Sequence, residues 1–499
     1  MNDDKTGIRE AIEDGVGIAA PDGDMSLPIP QELAAAYDAD RGAPQQMTQT
    51  ALEHVWIHTR NWVELAEQEG MRVFDRGEGE FLYDVYGTQY IDGLSGLWVV
   101  NAGHGRKEIA DAMAEQAAKL AYVSSFAFTN VPAVQLAQRI AQFTPGDLER
   151  VFFCSGGSEA VESAMKIAKQ YQVLKGYGKR YKMIARRGSY HGATFGAMSL
   201  TGSRTPYEKY YGPLMSGVRH VAWPNCYRCE FGLTYPSCNL QCARAVEQMI
   251  EFEGPETVAA VIAEPVSTAQ GTVVPVPEYI PMLREITERH GVLLILDEVI
   301  NGWGRTGKYF ATEHSPGVVP DLMTMAKGLS SGYAPIAAAV ARPGIFEPFS
   351  ADAKSAISHG ITFGGHAAAA AAALKNIEIF EREGLVERAA TMGAYWKTGL
   401  HDLKKHPTVG DVRGIGMLWA IEFVKDKETK ERWGNDSAFI QCIKRETERD
   451  GLITRTGDIV QLAPPLVTKK ETIDRITNIL DRAITAAEQA EGITENGLR

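Results

Sequence analysis

The sequence predicts an α/β protein: a large domain on a mostly parallel sheet, followed by a smaller α+β domain. Three observations carry this. Short apolar runs without polar alternation recur between residues 150 and 341, as strands buried on both faces require. Helical stretches separate them, the alternation that builds parallel sheets. Beyond Pro343 the texture changes to long charged helices around two glycine-punctuated strands.

In chain order, the first fifty residues are spotted with proline and acids and read as mostly irregular. Residues 1–75 are assigned to an N-terminal arm with part of the small domain, 76–345 to the large domain and 346–499 to the C-terminal small domain. Residues 82–91 (LYDVYGTQYI) predict a hairpin about Gly87. Residues 150–154 (RVFFC) form a strand running into SGGSEAVESAMKIAKQY. There Ser158 is expected to cap a helix with Val161, Met165 and Ala168 on its apolar face. Further strands are expected at 181–185, 258–263, 292–296, 322–325 and 336–341. An alanine-rich helix over 366–380 follows, then strands near 416–424 and 458–466, then a last helix over 469–491.

Bulk properties exclude several classes. The 499 residues carry a formal charge of -12 and no lysine or arginine block, so nucleic acid is not an expected partner. No span approaches the roughly 18 to 20 apolar residues of a membrane helix. The N-terminus is acidic and broken by charges, unlike a secretory signal or transit peptide, so a cytoplasmic location is expected. Six cysteines are too few for a disulfide scaffold.

The chemistry concentrates at strand ends. One apolar strand ends at Asp297, another just before Lys327, and a third at Glu264. Ligand sites form at such strand ends. A carboxylate there is costly unless paired, so a cationic partner is expected for Asp297. CSGGSEA, residues 154–160, offers backbone N–H groups at a helix start, which favour an anion. Tyr190 and His191 stand between Gly188 and Gly192, a setting that suits stacking on a flat ring. Singly, each has a bland alternative: a salt-bridged acid, a surface lysine, a common glycine-serine cap, a core tyrosine. Jointly they supply what pyridoxal phosphate asks of a protein: an amine, an acid for the pyridine nitrogen, a phosphate cradle and a flat contact.

These residues resemble the class III, fold type I pyridoxal-phosphate aminotransferases, and more narrowly the ω-amino acid or amine:pyruvate transaminases. The resemblance spans roughly residues 45–490. Its anchors are LWVVNAGHGR, CSGGSEAVE, SYHG, AEP, LDEVINGWGRTG, AKGLSSGYAP, GITFGGHA and LAPPL, in that order. It implies a mostly parallel seven-stranded sheet in the large domain. It implies Lys327 as the Schiff-base lysine and proton shuttle, and Asp297 as partner of the pyridine nitrogen. Val299 would lie under the ring and Tyr190 over it, with His191 beside them and Glu264 ordering this corner. Gly157 and Ser158 would bind the phosphate. Thr362 would reach the phosphate of a neighbouring subunit, which implies a homodimer with shared sites, and a tetramer is a further option. Trp98 and Phe126 would line the substrate pocket with Tyr190, and Arg455 would bind the substrate carboxylate. Arg413 looks structural in such proteins and is not assigned to substrate.

The implied activity is ping-pong transfer of an amino group from an amine or ω-amino acid to pyruvate. The alternatives are a 2-oxoglutarate-dependent enzyme of the 4-aminobutyrate or ornithine type, an aminomutase, or a decarboxylase. No convincing second acid-binding arginine is found near Trp98 or Phe126, which favours pyruvate. A non-catalytic protein on this scaffold would be expected to lack Lys327 or Asp297. Departures from the family pattern are small: a cysteine before SGGSE, valine in SEAVE, and GGHA without a following proline. The larger oddity is C-x2-C-x8-C-x3-C at Cys226, Cys229, Cys238 and Cys242. Similar insertions occur in taurine:pyruvate-like relatives. The four are expected as unbound thiols, with a structural metal or a disulfide as alternatives, and no metal is assigned.

Overall fold

The computed structural model describes residues 43–59, 61–67, 71–202 and 204–493. Residues 1–42 of the expected arm lie outside the described residues.

The expected hairpin is present within a small antiparallel meander of β1 (Phe74–Glu78), β2 (Phe81–Asp84) and β3 (Gln89–Asp92). Gly87, at φ +83°, turns the chain. Asp84 Oδ1 accepts the N–H groups of Tyr86 and Thr88 at 3.0 and 2.9 Å, an aspartate-stabilised turn.

The central sheet comprises β4 (Arg150–Cys154), β5 (Lys182–Arg186), β6 (Val218–Val221), β7 (Val258–Ala263), β8 (Leu293–Asp297), β9 (Leu322–Met325) and β10 (Ala337–Ala341). Its seven strands lie in the order β4-β10-β9-β8-β7-β5-β6. Strands β6, β5, β7, β8 and β9 pair in parallel, and β10 is antiparallel to both its neighbours. Successive residues feed opposite faces. Met183, Ile262 and Ile295 pack under the helix Gly157–Leu174 through Val161, Ala164 and Met165. Ile184, Val261 and Leu294 pack under the helices Gln241–Glu253 and Tyr279–Arg289 through Val246, Ile250 and Leu283. That two-sided burial is why these strands are apolar without alternation.

Ser158 does not cap its helix. Gly156 takes the extended N-cap position, and Ser158 lies in the first turn, where its Oγ accepts the Ala193 N–H at 3.0 Å. The flexible Gly-Gly pair lets the helix begin two residues earlier, which frees the serine side chain to bridge to a second loop.

The C-terminal part has a three-stranded antiparallel sheet of β11 (Val409–Ile415), β12 (Leu418–Phe423) and β14 (Ile459–Leu462). The short β13 (Leu452–Ile453) instead pairs in parallel with β3. The hairpin region near residues 74–92 therefore shares a sheet with a C-terminal strand, across the division drawn between residues 345 and 346. The helices Ala367–Glu383 and Lys470–Ala490 join the main core through Ala370, Ile377, Ile476 and Leu480. Among the described residues no helix is long and apolar enough to cross a membrane.

Candidate active site

The neighbouring parallel strands β7, β8 and β9 end on the same edge, and their ends deliver Glu264, Asp297 and Lys327 to one cavity of about 130 Å³. The cavity is also lined by Gly157, Ser158, Tyr190, His191 and Val299. Eight of the residues expected at the site are thus brought together.

Asp297 is buried and firmly held. Its Oδ1 accepts the Val299 N–H at 3.1 Å and the Thr324 hydroxyl at 2.9 Å. Its Oδ2 lies 2.7 Å from His191 Nδ1. His191 Nε2 is buried with no partner among the described residues. Thr324 faces Asp297 directly in the β8–β9 register, so the strand pairing itself orients the carboxylate. Such fixing matters because an acid can serve a ring nitrogen only if its side chain cannot turn away.

Glu264 sits beside this pair. Burial pushes its carboxyl up to about 7, against the lowering influence of His191 and Arg186. Its backbone carbonyl accepts an Arg186 N–H at 2.6 Å, and the same guanidinium nitrogen donates to Ser267 Oγ at 3.0 Å.

Lys327 opens a short 3-10 turn after β9 with φ +43°, an uncommon conformation for a side chain of this size. The alanine-rich helix holds that turn. Asn376 Nδ2 donates to the carbonyls of Gly328 and Leu329 at 2.9 and 3.0 Å. Gly328 is needed there, since a Cβ would stand 2.4 Å from Asn101 Nδ2. Burial pushes the Lys327 amine down to about 8, although Asp297 and Glu264 both favour its charged form. An accessible neutral amine next to a fixed carboxylate is what general base catalysis requires.

Two glycine-bearing loops close the opposite side. The 18-residue helix Gly157–Leu174 points its N-terminus at the cavity. Val299 packs on Gly157, where a Cβ would stand 2.8 Å from Val299 Cγ1. Gly192, at φ +140°, lets the second loop approach, since a Cβ there would stand 2.5 Å from Ser158 Oγ. The donor set fits pyridoxal phosphate: an anion cradle, a buried acid, a neutralisable lysine, a flat phenol and an apolar floor.

The other expected residues lie outside the cavity lining. Trp98 is buried in an apolar cluster with Leu94, Val266 and Ile300. Ile300 itself lines the cavity, so Trp98 backs its wall. Phe126 is exposed and lies against Gly360, where a Cβ would meet its ring at 2.5 Å. Thr362 is exposed, and its carbonyl accepts from Tyr122 Oη at 2.9 Å. Burial raises the Tyr190 phenol pKa, and Arg455, though exposed, is near enough to oppose that rise. Sequence reasoning missed Thr324, Asn301 and Arg186, and had Gly192 only as a frame for Tyr190 and His191. Asn301 lines the cavity and braces it, accepting the Val266 N–H at 2.7 Å and donating to Thr268 Oγ1 at 3.1 Å. Thr324 had a signal, as the sole polar residue in the apolar LMTMA run.

The buried amine has a stability signature in the cofactor-free protein. Its folded value near 8 lies below the ordinary 10.5, so between these the unfolded chain binds more protons than the folded one. Stability from this group therefore rises with pH across that window. The denaturation midpoint of the apoprotein, minus that of K327M, is expected to climb from about pH 8 to about pH 10. A flat difference would contradict a depressed amine.

Comparison with known proteins places these motifs in context. The model of the family "Aminotransferase class-III" matches residues 64–484. A probable aminotransferase of Mycobacterium tuberculosis is 41% identical, over 88% of this chain and 94% of its own. The taurine–pyruvate aminotransferase of Bilophila wadsworthia is 38% identical, over 88% of this chain and 97% of its own. The putrescine–pyruvate aminotransferase of Pseudomonas aeruginosa is 36% identical, over 84% and 91%. An (S)-enantioselective ω-transaminase structure from Thermomicrobium roseum superposes with TM-score 0.84 at 39% identity, covering 89% of this chain and 98% of that one. The ω-transaminase of Pseudomonas jessenii in complex with PMP superposes with TM-score 0.84 at 33% identity, covering 89% and 99%.

Proposed function

The chain belongs to the class-III aminotransferases, which are pyridoxal-phosphate enzymes, and from that membership we propose that it transfers an amino group from an amine or ω-amino acid to pyruvate. The observation that carries this is the meeting of Lys327 and Asp297 in one cavity, with the lysine amine pushed down to about 8. Bound pyridoxal phosphate supplies the electron sink that allows a Cα–H bond of the amine to be broken. Lys327 is the residue that would hold its aldehyde carbon and, once free, carry the proton away from and back to substrate. Asp297, oriented by Thr324, Val299 and His191, would keep the ring nitrogen protonated. The N–H groups around Gly157 and Ser158 would take the phosphate, with Tyr190 and Val299 against the two ring faces.

Pyruvate is favoured over 2-oxoglutarate by two observations. Among the described residues Arg455 is the one arginine whose charge acts on the cavity-lining Tyr190, whereas a dicarboxylate calls for two acid-binding cations. Two of the relatives above are named pyruvate enzymes. Arg455, close to Tyr190, is proposed to bind the acceptor's single carboxylate. R455A is expected to raise KM for pyruvate about tenfold or more, since hydrogen bonds to charged groups contribute about 1.5–3 kcal/mol. Reaction with a monoamine donor that carries no carboxylate should be spared. Equal losses for both would assign Arg455 a structural role instead.

A homodimer with shared sites is part of the proposal. Thr362 is exposed and outside its own chain's cavity lining, and Tyr122, Phe126, Phe128 and Phe363 form exposed aromatic surface on neighbouring segments. Covering this surface with a second copy would bury it and present Thr362 across the interface.

The deciding experiment is a half-reaction on the yellow holoenzyme. A panel of amines is added without acceptor, and the visible cofactor band is followed. Bleaching by taurine-like, diamine or monoamine donors, reversed by pyruvate, is the expected result. Recovery by 2-oxoglutarate alone would overturn the acceptor, and no bleaching by any amine would overturn the donor class.

A further inference from the structure

The loop between β6 and the helix Gln241–Glu253 carries WPNCYRCEFGLTYPSCNLQC, residues 223–242. The chemistry above makes no use of it. All four of its cysteines, Cys226, Cys229, Cys238 and Cys242, line one small cavity of about 20 Å³, and none is in a disulfide. Such a space admits a single water-sized body and no organic ligand.

Two features of the backbone serve this cavity. Asn239 and Leu240, between the second pair of cysteines, both have left-handed backbone, at φ +49° and +53°. A branched leucine there is costly, and such conformations persist where something over-determines them. Leu240 is also the N-cap of the 13-residue helix that follows, so Cys242 lies in its first turn.

We infer that Cys226, Cys229, Cys238 and Cys242 form a structural zinc site closed by four thiolates. The C-x2-C and C-x3-C pairs have the spacing by which two turns each offer two sulfurs to one tetrahedral ion; no three of the four sulfurs lie within 4.8 Å of one another, so the two turns must close on the ion to bind it. As each sulfur binds the ion its proton passes to solvent, so uptake is linked to pH.

The position of the loop gives the ion a purpose. The Trp223 ring lies on Gly188, two residues before Tyr190, where a Cβ would stand 2.4 Å from it. Glu230 pairs with Arg187 at 2.6 Å. On the other side Arg228 pairs with the buried Glu422 of β12 and donates to the Lys430 carbonyl at 2.7 Å. The loop thus ties the turn that carries Tyr190 and His191 to the C-terminal sheet. A closed zinc site would fix that tie while touching neither substrate nor cofactor.

The test begins with the wild-type holoenzyme, incubated with zinc under reducing conditions and dialysed. Close to one zinc per chain is expected by elemental analysis. The four loop thiols should resist a thiol reagent until a chelator is added, and chelation should lower the thermal midpoint. Cobalt in place of zinc should show the visible bands of a tetrahedral thiolate complex. C238S and the C226S/C229S pair should lose the ion. If either variant fails to fold, the wild-type metal content and thiol titration still decide. Little zinc with freely reactive thiols, a disulfide found by mass spectrometry, or zinc retained by both variants would each overturn the inference. Retention would place the ion elsewhere, for example at the surface cluster of Glu247, Glu251 and His290.

Discussion

Replacing Lys327 with alanine is expected to lower kcat for transamination by at least about 10⁴-fold, since the change removes both a covalent anchor and the proton-transfer base. Nothing nearby can take over. Among the described residues lining the cavity, Lys327 is the only amine, Asp297 is held by its own partners, and the Glu264 carboxyl cannot form a Schiff base. The phosphate cradle and the ring contacts survive in K327A, so the variant should still take up cofactor, without a covalent link. Borohydride reduction of wild type followed by peptide mass spectrometry should place the label on Lys327, and K327A should carry none. The folded state should not suffer, because burial opposes the ammonium form in the first place. An alanine variant retaining more than about a hundredth of wild-type activity would sink the assignment.

Strands β7 and β9 coincide with the expected 258–263 and 322–325 because apolar runs, broken only by Thr324, stand between proline and charged punctuation. β6 (VRHV) and β11 (VGDVRGI) escaped because each mixes polar residues into a short span. The Asp297–Lys327 pair was legible since each residue closes such a run. That the two runs are adjacent in the sheet depends on strand order, which pattern alone does not give. The residues that hold the pair were hidden for the same reason. Thr324 meets Asp297 only through register, and Arg186 meets Glu264 only because β5 lies beside β7. Arg305, inside the LDEVINGWGRTG run, is a sharper case. It is fully buried, donating to the Pro464 carbonyl at 2.5 Å and Ser95 Oγ at 3.0 Å, and also to Asn101 Oδ1. With the Met417 carbonyl, 3.2 Å away, three distant segments are gathered on one guanidinium, and no local spacing announces it.

Asp297→Asn separates charge from shape. Asparagine retains an oxygen for the Thr324 hydroxyl and the Val299 N–H, so the end of β8 should keep its form. What is lost is the negative charge that favours a protonated ring nitrogen, and with it much of the stabilisation of developing carbanion character. A fall in kcat of roughly 10²- to 10⁴-fold is expected, with cofactor still bound. A second readout distinguishes this from general damage. Asp297 is the foremost group favouring the charged form of Lys327, so its neutralisation should move the amine further down from about 8. The pH midpoint for covalent cofactor uptake by the apoprotein should shift in the acid direction. A structural lesion would lower uptake at every pH without moving the midpoint. Full activity in Asp297→Asn would mean that the ring nitrogen is served by another group, and His191, 2.7 Å away on the same carboxylate, would be the next residue to replace.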